Sequence, residues 1–369
     1  MKIAMIGHKR IPSREGGVEI VVGELSERMV KRGHRVVAYN RKSEHIAGKD
    51  IQQINDWNGV EIKWVKTPNS SKLNAIVYSF LATLKAIGKG FDVIHFHAEG
   101  PSSMVLLAKL FRKKCIVTIH GLDWQRSKWG GFATKYLKFG EKTAANHADE
   151  VIVLSKNVQQ YFLDTYGRET VFIPNGISKP EIKEANIIKD KYSLGKDDYI
   201  LFLGRLVPEK CPHLLVEAFK ELNTDKKLVI AGGASHTSEY ENELHELAKD
   251  CDNIIFTGFV EGNELDELFS NAYIYCLPSD LEGMPISLLE AMSYGNCCLT
   301  SDIPECTEVL GEYGVSFKKS DKEDLKAVLE KLISDSKSVQ EYKDKAQNYI
   351  LEKYNWDEVC DKTLALYQK

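Results

Sequence analysis

Short apolar runs alternate with amphipathic segments along nearly the whole chain. The first half holds seven runs rich in Val and Ile that are typical of buried strands, at 2–7, 35–40, 60–65, 91–97, 114–120, 149–155 and 170–174. Helical patterns lie between them, and the clearest is GVEIVVGELSERMVKRG at 17–33, in which Gly33 is placed to end the helix. This order of elements predicts a parallel sheet with crossover helices.

The same pattern starts again in the second half. Strand-like runs recur at 199–205, 227–233, 253–259, 272–279, 296–301 and 314–317, and 213–222 is an amphipathic helix. A chain of 369 residues is also longer than one hydrophobic core usually carries. We therefore predict two α/β domains, each with a doubly wound parallel sheet. The segment 173–195, which has Pro, Gly and charges but little periodicity, is interpreted as the linker, with the boundary near residue 178.

The overall composition is that of an ordinary soluble globular protein, with 43% hydrophobic and 28% charged residues. No apolar run approaches the roughly 18–20 residues that span a bilayer, and the first apolar stretch is too short for a signal peptide. We therefore expect a cytoplasmic protein. The eight cysteines show no CxxC spacing, and we expect them to be reduced and structural.

Charge is distributed unevenly between the two halves. Residues 1–178 hold 27 Lys and Arg against 16 Asp and Glu, a net charge of +11, whereas residues 179–369 hold 22 against 37, a net charge of −15. A basic half suits nucleic acid, an anionic membrane or small anionic substrates, and a solvated basic surface is an equally good alternative. Charge alone does not choose between these interpretations.

The loops that follow the strands are the candidates for ligand binding, because ligands of doubly wound domains bind beyond the carboxyl ends of the strands. After the first strand, Gly16 and Gly17 open a helix where backbone can approach an anion closely; the alternative is a flexible turn. Later, Arg205 and Lys210 flank a proline and form a candidate clamp for a diphosphate, although surface lysines are common.

The segment EGMPISLLE at 282–290 places two acids around a proline and a short apolar run. Pro285 fits the first turn of a helix, so Glu282 is expected in the loop and Glu290 on the helix. The N–H groups of Ile286 and Ser287 then face outward, toward a phosphate. One acid for a sugar ring and one for a ribose fit a nucleotide sugar. In the alternative interpretation, Glu290 is an ordinary helix residue and Glu282 only favours the helix dipole.

A set of motifs that occur in order along nearly the whole chain resembles a known family: GGVE, the HG of IHGLD, IPNGI, LGRLVPEK and EGMPISLLE. The resemblance is to the retaining glycosyltransferases of family four. It implies the GT-B fold, in which two Rossmann-like, doubly wound parallel-sheet domains face a cleft. The domains would be an acceptor-binding domain at 1–178, a nucleotide-sugar-binding domain at 179–352, and a C-terminal helix at about 353–369 that packs back on the first domain.

The resemblance also assigns roles to single residues. In the second half it places the donor diphosphate on Arg205 and Lys210, the ribose on Glu290, the transferred sugar on Glu282 and the base on the loop from Gly258 to Val260. In the first half, Gly16 and Gly17 would border phosphate and acceptor, and His120 would lie beside the donor sugar near the reacting carbon. Many relatives have Phe-Gly where this chain has Met284-Pro285, which removes one amide donor from the predicted site.

The expected reaction needs no cofactor besides the nucleotide sugar and no metal, because the sequence shows no Asp-rich or His-rich ligand cluster. Relatives retain the anomeric configuration. We favour a same-face route, with the leaving phosphate accepting the acceptor proton, over a covalent intermediate, since no residue stands out as the nucleophile. A strand-end structural role is the alternative for His120. His95 and His97 alternate along one strand, so only one of them is expected to share a face with the pocket.

The segment RSKWGGFATKYLKFGEK at 126–142 interleaves basic and aromatic residues, and LLAKLFRKK at 106–114 adds a second basic, apolar stretch. Basic and aromatic residues interleaved in this way are typical of a helix that lies on an anionic membrane, and this location suits a lipid-linked acceptor. The alternative is a core-packing helix with solvated lysines. The basic and aromatic residues of the longer segment are Arg126, Lys128, Trp129, Phe132, Lys135, Tyr136, Lys138, Phe139 and Lys142.

These observations predict a retaining, metal-independent hexosyltransferase that uses a UDP- or dTDP-sugar of rhamnose or glucose type. The acceptor would be a glycan or a lipid-linked molecule in bacterial surface polysaccharide synthesis, with no nucleic acid partner. The alternatives are a GT-B epimerase and a non-catalytic sugar-nucleotide-binding protein. A phosphorylase would be expected to carry a pyridoxal-phosphate lysine site that is not recognisable here. A nicotinamide dehydrogenase is disfavoured because the first strand–helix turn lacks the GxGxxG fingerprint.

Overall fold

The computed structural model of the protein describes residues 1–43, 53–70, 73–126, 130–233 and 238–369. The chain divides into two compact units. The N-terminal unit consists of Met1–Asn175 together with Trp356–Lys369, and the C-terminal unit consists of Gly176–Asn355. Each unit is built around one sheet, so the predicted pair of parallel-sheet α/β domains is confirmed.

The sheet of the N-terminal unit has the strand order β3-β4-β2-β1-β5-β6-β7-β8. Neighbouring strands are parallel, except that β3 runs antiparallel to β4. The strands are β1 (Lys2–Ile6), β2 (Arg35–Lys42), β3 (Asp56–Trp57), β4 (Val60–Lys66), β5 (Val93–His97), β6 (Lys114–Ile119), β7 (Glu150–Val153) and β8 (Val171–Phe172). The helices are α1 (Gly17–Lys31), α2 (Asn74–Ile87), α3 (Glu99–Ser102), α4 (Val105–Leu110), α5 (Gly131–His147), α6 (Lys156–Tyr166) and α15 (Trp356–Gln368).

The apolar runs of the sequence become strands because crossover helices cover both faces of a parallel sheet, so most side chains of its central strands are buried. In β1, every residue from Ile3 to Ile6 is fully buried. Helix α1 ends as its sequence predicts. Gly33 has a φ of +81°, His34 N donates to Met29 O and Gly33 N donates to Val30 O, which is the Schellman arrangement.

Helix α15 packs on α1 within the N-terminal unit. Arg32 donates to Asp361 over 2.7 Å and to Asp357 over 3.0 Å. At the far end of α15, the hydroxyl of Tyr367 lies 2.6 Å from Nδ1 of His95 in β5. The last described helix therefore completes the N-terminal core, although the whole C-terminal unit precedes it in the sequence.

The sheet of the C-terminal unit is parallel throughout its described part, in the order β11-β10-β9-β12-β13-β14. Its strands are β9 (Tyr199–Leu203), β10 (Lys227–Ala231), β11 (Ile254–Gly258), β12 (Ile274–Leu277), β13 (Cys297–Ser301) and β14 (Val315–Phe317). Its helices are α7 (Ile187–Tyr192), α8 (Pro212–Lys220), α9 (Ser238–Ala248), α10 (Gly262–Asn271), α11 (Ile286–Ser293), α12 (Pro304–Leu310), α13 (Lys322–Ser334) and α14 (Ser336–Lys353).

The segment interpreted as a linker, 173–195, contains the boundary between the two units, which falls between Asn175 and Gly176, close to the predicted residue 178. It contains α7, and from Gly176 onward it belongs to the C-terminal unit. The buried carboxylate of Glu267 accepts hydrogen bonds from the backbone N–H groups of Asn186 and Ile188, both over 3.0 Å. Helix α7 was not predicted in this segment, because its hydrogen bonds to α10 leave no apolar period in the sequence.

All thirteen predicted strands are present. Among the described residues, β3 is the strand that the sequence pattern missed, because two residues are too few to show a period. All eight cysteines are free, and seven of them are buried. Among the described residues, no helix combines the length and the apolar character needed to cross a membrane.

Candidate active site

The sheet of the C-terminal unit reverses its strand order between β9 and β12. The chain runs β9, β10, β11 toward one edge and β12, β13, β14 toward the other. Ligands of open α/β sheets bind beyond the carboxyl ends of the strands at such a switch point. Arg205 and Lys210 follow β9, and Glu282 follows β12, so the structure places these three predicted residues at the two strands that flank the reversal.

Lys210 and Glu282 form an ion pair at this point. Lys210 Nζ donates to Glu282 Oε1 over 2.6 Å, and Ser279 Oγ donates to the same oxygen over 2.7 Å. The two charged side chains are only 13% and 10% exposed. The pair is held in one geometry, because little water reaches either charge and each therefore needs the other to compensate for its lost hydration. The sequence predicted both residues in the site but did not predict their contact.

The loops that carry the pair are themselves fixed to one another. The backbone N–H of Asp280 donates to the carbonyl of Glu209 over 2.9 Å. Next to them, Gly204 leaves room for Lys210, since a Cβ at this glycine would lie 3.2 Å from Lys210 Cδ. Gly232, at the end of β10, has a φ of +144°, and a Cβ there would lie 1.8 Å from the carbonyl oxygen of Gly204. Glycine is therefore required where these loops approach each other.

Helix α11 begins just after Glu282, and Glu290 lies on it, as the position of Pro285 predicts. The first N–H groups to bond inside the helix are those of Leu288 and Leu289, which donate to the carbonyl of Pro285 over 3.2 and 3.3 Å. Ile286 and Ser287 are the first two residues of α11, and helices present N–H groups to anions at this position. The hydroxyl of the buried Tyr275, which lies within β12, donates to Ser287 Oγ over 2.9 Å.

The predicted base-binding loop lies farther along the sheet. Gly258 is the last residue of β11, two strands from β9, and its φ is +70°. Its carbonyl accepts a hydrogen bond from Gly232 N over 2.8 Å, so this loop is joined to the end of β10. Val260 is almost fully buried, whereas the side chain of Phe259 between them is 53% exposed. The exposed ring of Phe259 can stack on a base, and the sequence analysis did not predict a role for this residue.

The N-terminal unit has its own switch point, between β1 and β5. Gly7 follows β1 with a φ of +132°, and a Cβ there would lie 2.1 Å from the carbonyl oxygen of His97. Gly16 caps α1, and Gly17 is its first residue. The carboxylate of Glu19 folds back over this helix start: one oxygen accepts Lys9 N over 2.7 Å, and the other would lie 2.5 Å from a Cβ on Gly16. A carboxylate three residues after the cap is the sequence signal for such an arrangement, and it was missed.

His120 follows β6, and its ring contacts that of His97 in β5. His97 Nδ1 and His120 Nε2 are 3.1 Å apart. The expectation that only one of His95 and His97 shares a face with the pocket was wrong, because side chains two residues apart on a strand point to the same side. The rings of His95 and His97 are 4.2 Å apart. Burial lowers the pKa of His120 to about 4 and that of His95 to about 3, so both rings are neutral at pH 7.

Three polar residues around this switch point were not predicted. His8 is buried, with Nε2 3.0 Å from Asn40 Oδ1. Arg41, at the end of β2, places its guanidinium 4.7 Å from the Tyr78 ring centre and donates to Gly7 O over 3.1 Å. Glu99 begins α3 and is fully buried. Burial, with Asp123 and Glu141 nearby, raises the pKa of Glu99 far above its usual range. A charged residue within two positions of the end of a predicted strand was the available signal for Arg41 and Glu99.

Helices α4 and α5, which contact each other, expose large apolar side chains beside basic ones. We call this the apolar–basic surface and define it by Leu110, Phe111, Phe132, Phe139, Lys109, Arg112, Lys113, Lys135, Lys138 and Lys142. Leu110 is 80% exposed and Phe132 78%. The inward face of α5 is buried, as the core-packing interpretation expects, and its outward face exposes apolar and basic side chains. Lys128 and Trp129 lie outside the described residues, and Arg126 pairs with Asp123 over 2.9 Å.

Two doubly wound units, with polar and charged residues collected at the switch point of each, have the architecture of a GT-B glycosyltransferase. Two family models match: Glycosyltransferase Family 4 over residues 15–179, and Glycosyl transferases group 1 over residues 184–349. The chain belongs to the family-four glycosyltransferases.

Curated relatives match along most of the chain. An uncharacterised glycosyltransferase of Methanocaldococcus jannaschii is 26% identical over 100% of this chain and 98% of its own length. The phosphatidyl-myo-inositol mannosyltransferase of Mycolicibacterium smegmatis is 25% identical over 96% and 90%. The O-antigen chain mannosyltransferase C of Escherichia coli is 23% identical over 100% and 98%.

Solved structures share the fold at lower identity. Sucrose-phosphate synthase of Thermosynechococcus elongatus superposes with a TM-score of 0.86, at 21% identity, over 100% of this chain and 98% of that one. Anabaena HepE in complex with UDP and glucose gives a TM-score of 0.81 at 15% identity, over 99% and 98%. These likenesses extend across both units and agree with the GT-B assignment.

Proposed function

We propose that the protein is a retaining, metal-independent hexosyltransferase that transfers a glucose- or rhamnose-type sugar from a UDP- or dTDP-sugar to a glycan or a lipid-linked acceptor. The proposal rests on the Lys210–Glu282 pair at the switch point of the C-terminal sheet. A cation and an acceptor-only carboxylate, fixed in contact, can receive the two chemically different halves of a sugar diphosphate side by side. We place this enzyme in bacterial surface polysaccharide synthesis.

Lys210 and Arg205 would bind the diphosphate, and the start of α11 would add the N–H groups of Ile286 and Ser287. When the bond between the anomeric carbon and the phosphate breaks, the leaving diphosphate gains a negative charge, and fixed cations stabilise that charge where it develops. Glu282 would accept hydrogen bonds from the sugar hydroxyls and Glu290 from the ribose. Gly258 to Val260 would contact the base.

A same-face route to retention suits these residues. Glu282 Oε1 already accepts hydrogen bonds from Lys210 and Ser279, which lowers its tendency to attack carbon as a nucleophile. The acceptor hydroxyl would form its bond to the anomeric carbon while the leaving phosphate takes the hydroxyl proton. Gly16, Gly17 and His120 of the N-terminal unit would border the acceptor and the donor sugar.

The acceptor side of the proposal includes contact with an anionic membrane through the apolar–basic surface. Exposed Phe and Leu side chains can enter the boundary between headgroups and acyl chains, and the surrounding lysines and arginines attract anionic lipids. Two relatives carry names that fit such acceptors, one acting on phosphatidyl-myo-inositol and one on O-antigen chains. We propose that the enzyme works at the inner face of the cell membrane.

Donor use is tested with UDP-, dTDP- and GDP-sugars, by measuring release of the nucleoside diphosphate and by NMR of the anomeric proton of the product, with and without EDTA. We expect one nucleotide family to be used, an unchanged anomeric configuration and no effect of EDTA. Lys210→Met should abolish turnover. Lys249→Met, which removes an exposed lysine from the same unit, should not. Inversion of configuration or loss of activity in EDTA would refute the mechanism, and an epimerised donor without acceptor would identify an epimerase.

Membrane contact is tested by sedimentation with vesicles of anionic or purely zwitterionic lipid. We expect the protein to pellet with anionic vesicles at low salt and to lose this property in a Phe132→Ser/Phe139→Ser variant. Leu163→Ser is the matched control, because Leu163 is also exposed but lies on α6, outside the apolar–basic surface. Equal binding to both kinds of vesicle, or equal loss in the control, would contradict the proposal.

A further inference from the structure

The contact between His97 and His120 leaves one nitrogen of His97 without a partner. His97 is fully buried, its Nδ1 lies 3.1 Å from His120 Nε2, and its Nε2 has no hydrogen-bond partner among the described residues. The neighbouring His95 is satisfied on both sides, by Tyr367 over 2.6 Å and by Thr118 over 2.7 Å. The orphan nitrogen therefore belongs to the ring that contacts the predicted site residue.

Both rings of the contact are neutral. Burial lowers the pKa of His97 well below its ordinary value, and the nearby rings of His95, His120 and His8 lower it further. Burial also lowers the pKa of His120. Each ring then carries one N–H, and two arrangements satisfy the contact, which differ in which ring donates.

In one arrangement His120 donates from Nε2, and the proton of His97 must then sit on its own Nε2, where it has no acceptor. In the other, His97 donates from Nδ1, and its Nε2 is a bare lone pair. Buried N–H groups without an acceptor are rarer than buried acceptors without a donor, because the polarised hydrogen loses a strong bond to water. We propose that His97 donates its Nδ1–H to His120 Nε2 and thereby fixes His120 as the tautomer that carries its proton on Nδ1.

This tautomer decides what His120 can do in the reaction. Its Nε2 lone pair is used by His97, and its Nδ1 bears a hydrogen, so the ring can donate a hydrogen bond to a substrate hydroxyl but cannot accept a proton from one. The inference rests on the proposed function and deepens it. If His120 is not the base, the acceptor proton goes to an oxygen of the leaving diphosphate as the new C–O bond forms and the C–O bond to phosphate breaks. His97 is then a positioning residue, and its effect reaches the substrate through His120.

The tautomer can be read directly by long-range ¹H–¹⁵N correlation NMR of the full chain with ¹⁵N-labelled histidine at pH 7.5. His120→Gln identifies the His120 signals, and His147→Gln, at the exposed end of α5, is the control that leaves them unchanged. We expect the Nδ1 shift of a protonated nitrogen and the Nε2 shift of a lone-pair nitrogen. The reverse pattern, or two protonated nitrogens, would overturn the proposal. This measurement needs no turnover, so it stays valid if the proposed sugar transfer is wrong.

Variants of His97 separate the hydrogen bond from simple packing. His97→Asn keeps a donor near the position of Nδ1 and should preserve the His120 tautomer. His97→Leu fills the space without a donor and should give a mixture of tautomers, with kcat reduced about tenfold, the order expected for the loss of one hydrogen bond, and KM for the donor unchanged. Equal His120 spectra in the two variants would refute the positioning role. UDP binding checks that each variant is folded, so that loss of structure is not mistaken for loss of the bond.

Discussion

The contact between Lys210 and Glu282 makes a quantitative prediction about stability. Removing one partner of a buried ion pair costs about 3–5 kcal/mol, because the remaining charge keeps its desolvation penalty and loses its compensation. The side chains are 13% and 10% exposed, so some solvent reaches them and the lower end applies. We expect Lys210→Met and Glu282→Gln each to lower the free energy of unfolding of the C-terminal unit by about 3 kcal/mol. The double variant should lose about 4 kcal/mol, not the sum of the two, because the second change removes a charge that is already uncompensated.

The assay is hydrogen exchange with mass spectrometry in urea, read on peptides that cover β9 and β12. Peptides of the N-terminal unit serve as internal controls, since the pair lies outside that unit, and Lys249→Met controls for loss of a surface lysine. A coupling energy below about 0.5 kcal/mol between the two variants would refute the reasoning, because independent sites add within that margin. The same samples test the donor site. UDP at 100 times its dissociation constant for the wild type should stabilise the wild type by about 2.7 kcal/mol, and the same UDP concentration should stabilise the Lys210→Met variant much less.

Three further changes have expected outcomes. Gly232→Ala should destabilise the C-terminal unit by about 2–4 kcal/mol in the same exchange assay, because Gly232 has a φ of +144° and a Cβ there would collide with the carbonyl oxygen of Gly204. Gly233→Ala is the control and should be neutral, because a Cβ on Gly233 would have its nearest neighbour, Phe259 Cβ, at 3.9 Å. Glu99→Gln should stabilise the protein at pH 7, by up to about 3 kcal/mol in urea unfolding. The pKa of Glu99 is raised in the folded protein, so at any pH above the unfolded pKa near 4.5 the carboxylate must take up a proton on folding, which costs stability. The gain should therefore vanish at pH 4, and destabilisation at pH 7 would contradict the reasoning. The pKa of His95 is about 3 in the folded protein and 6.5 in the unfolded chain, so the unfolded chain binds an extra proton and stability falls as the pH drops below 6.5. His95→Gln should reduce the loss of stability between pH 6.5 and 5.5 by about 1 kcal/mol. An unchanged loss would show that His95 is not buried in its neutral form.

The sequence predicted the fold well because parallel sheets covered on both faces need long apolar runs, and each run that becomes a strand is visible as one. It also placed Arg205, Lys210 and Glu282 correctly after their strands, since a loop position follows directly from a strand end. It missed the short helix α7 within 173–195, where Glu267, far away in the sequence, accepts hydrogen bonds from the start of that helix. Information of that kind lies in a partner residue, and no local pattern records it.

The polar contacts within each site were beyond the sequence for a related reason. His97 is the last residue of β5 and His120 directly follows the adjacent parallel strand β6, so the pairing of Phe96 with Val117 and of His97 with Thr118 sets how close their rings come. That register emerges from packing of the whole sheet. The mistake about His95 and His97 was different, because the two-residue period of a strand already places them on one side. Arg41 and Glu19 were visible as charges beside strand and helix ends and were simply not weighed.

The N-terminal unit is built from two stretches of chain that are far apart in the sequence, and this affects how it folds during synthesis. Residues 176–355 are contiguous, so the C-terminal unit can fold as soon as they have left the ribosome. The other unit begins first and finishes last: until Tyr367 emerges, His95 in the middle of its sheet lacks the hydroxyl that bonds its Nδ1, and α1 lacks Asp357 and Asp361. The half of the enzyme that is made first should therefore be the last to become resistant to proteases on the ribosome.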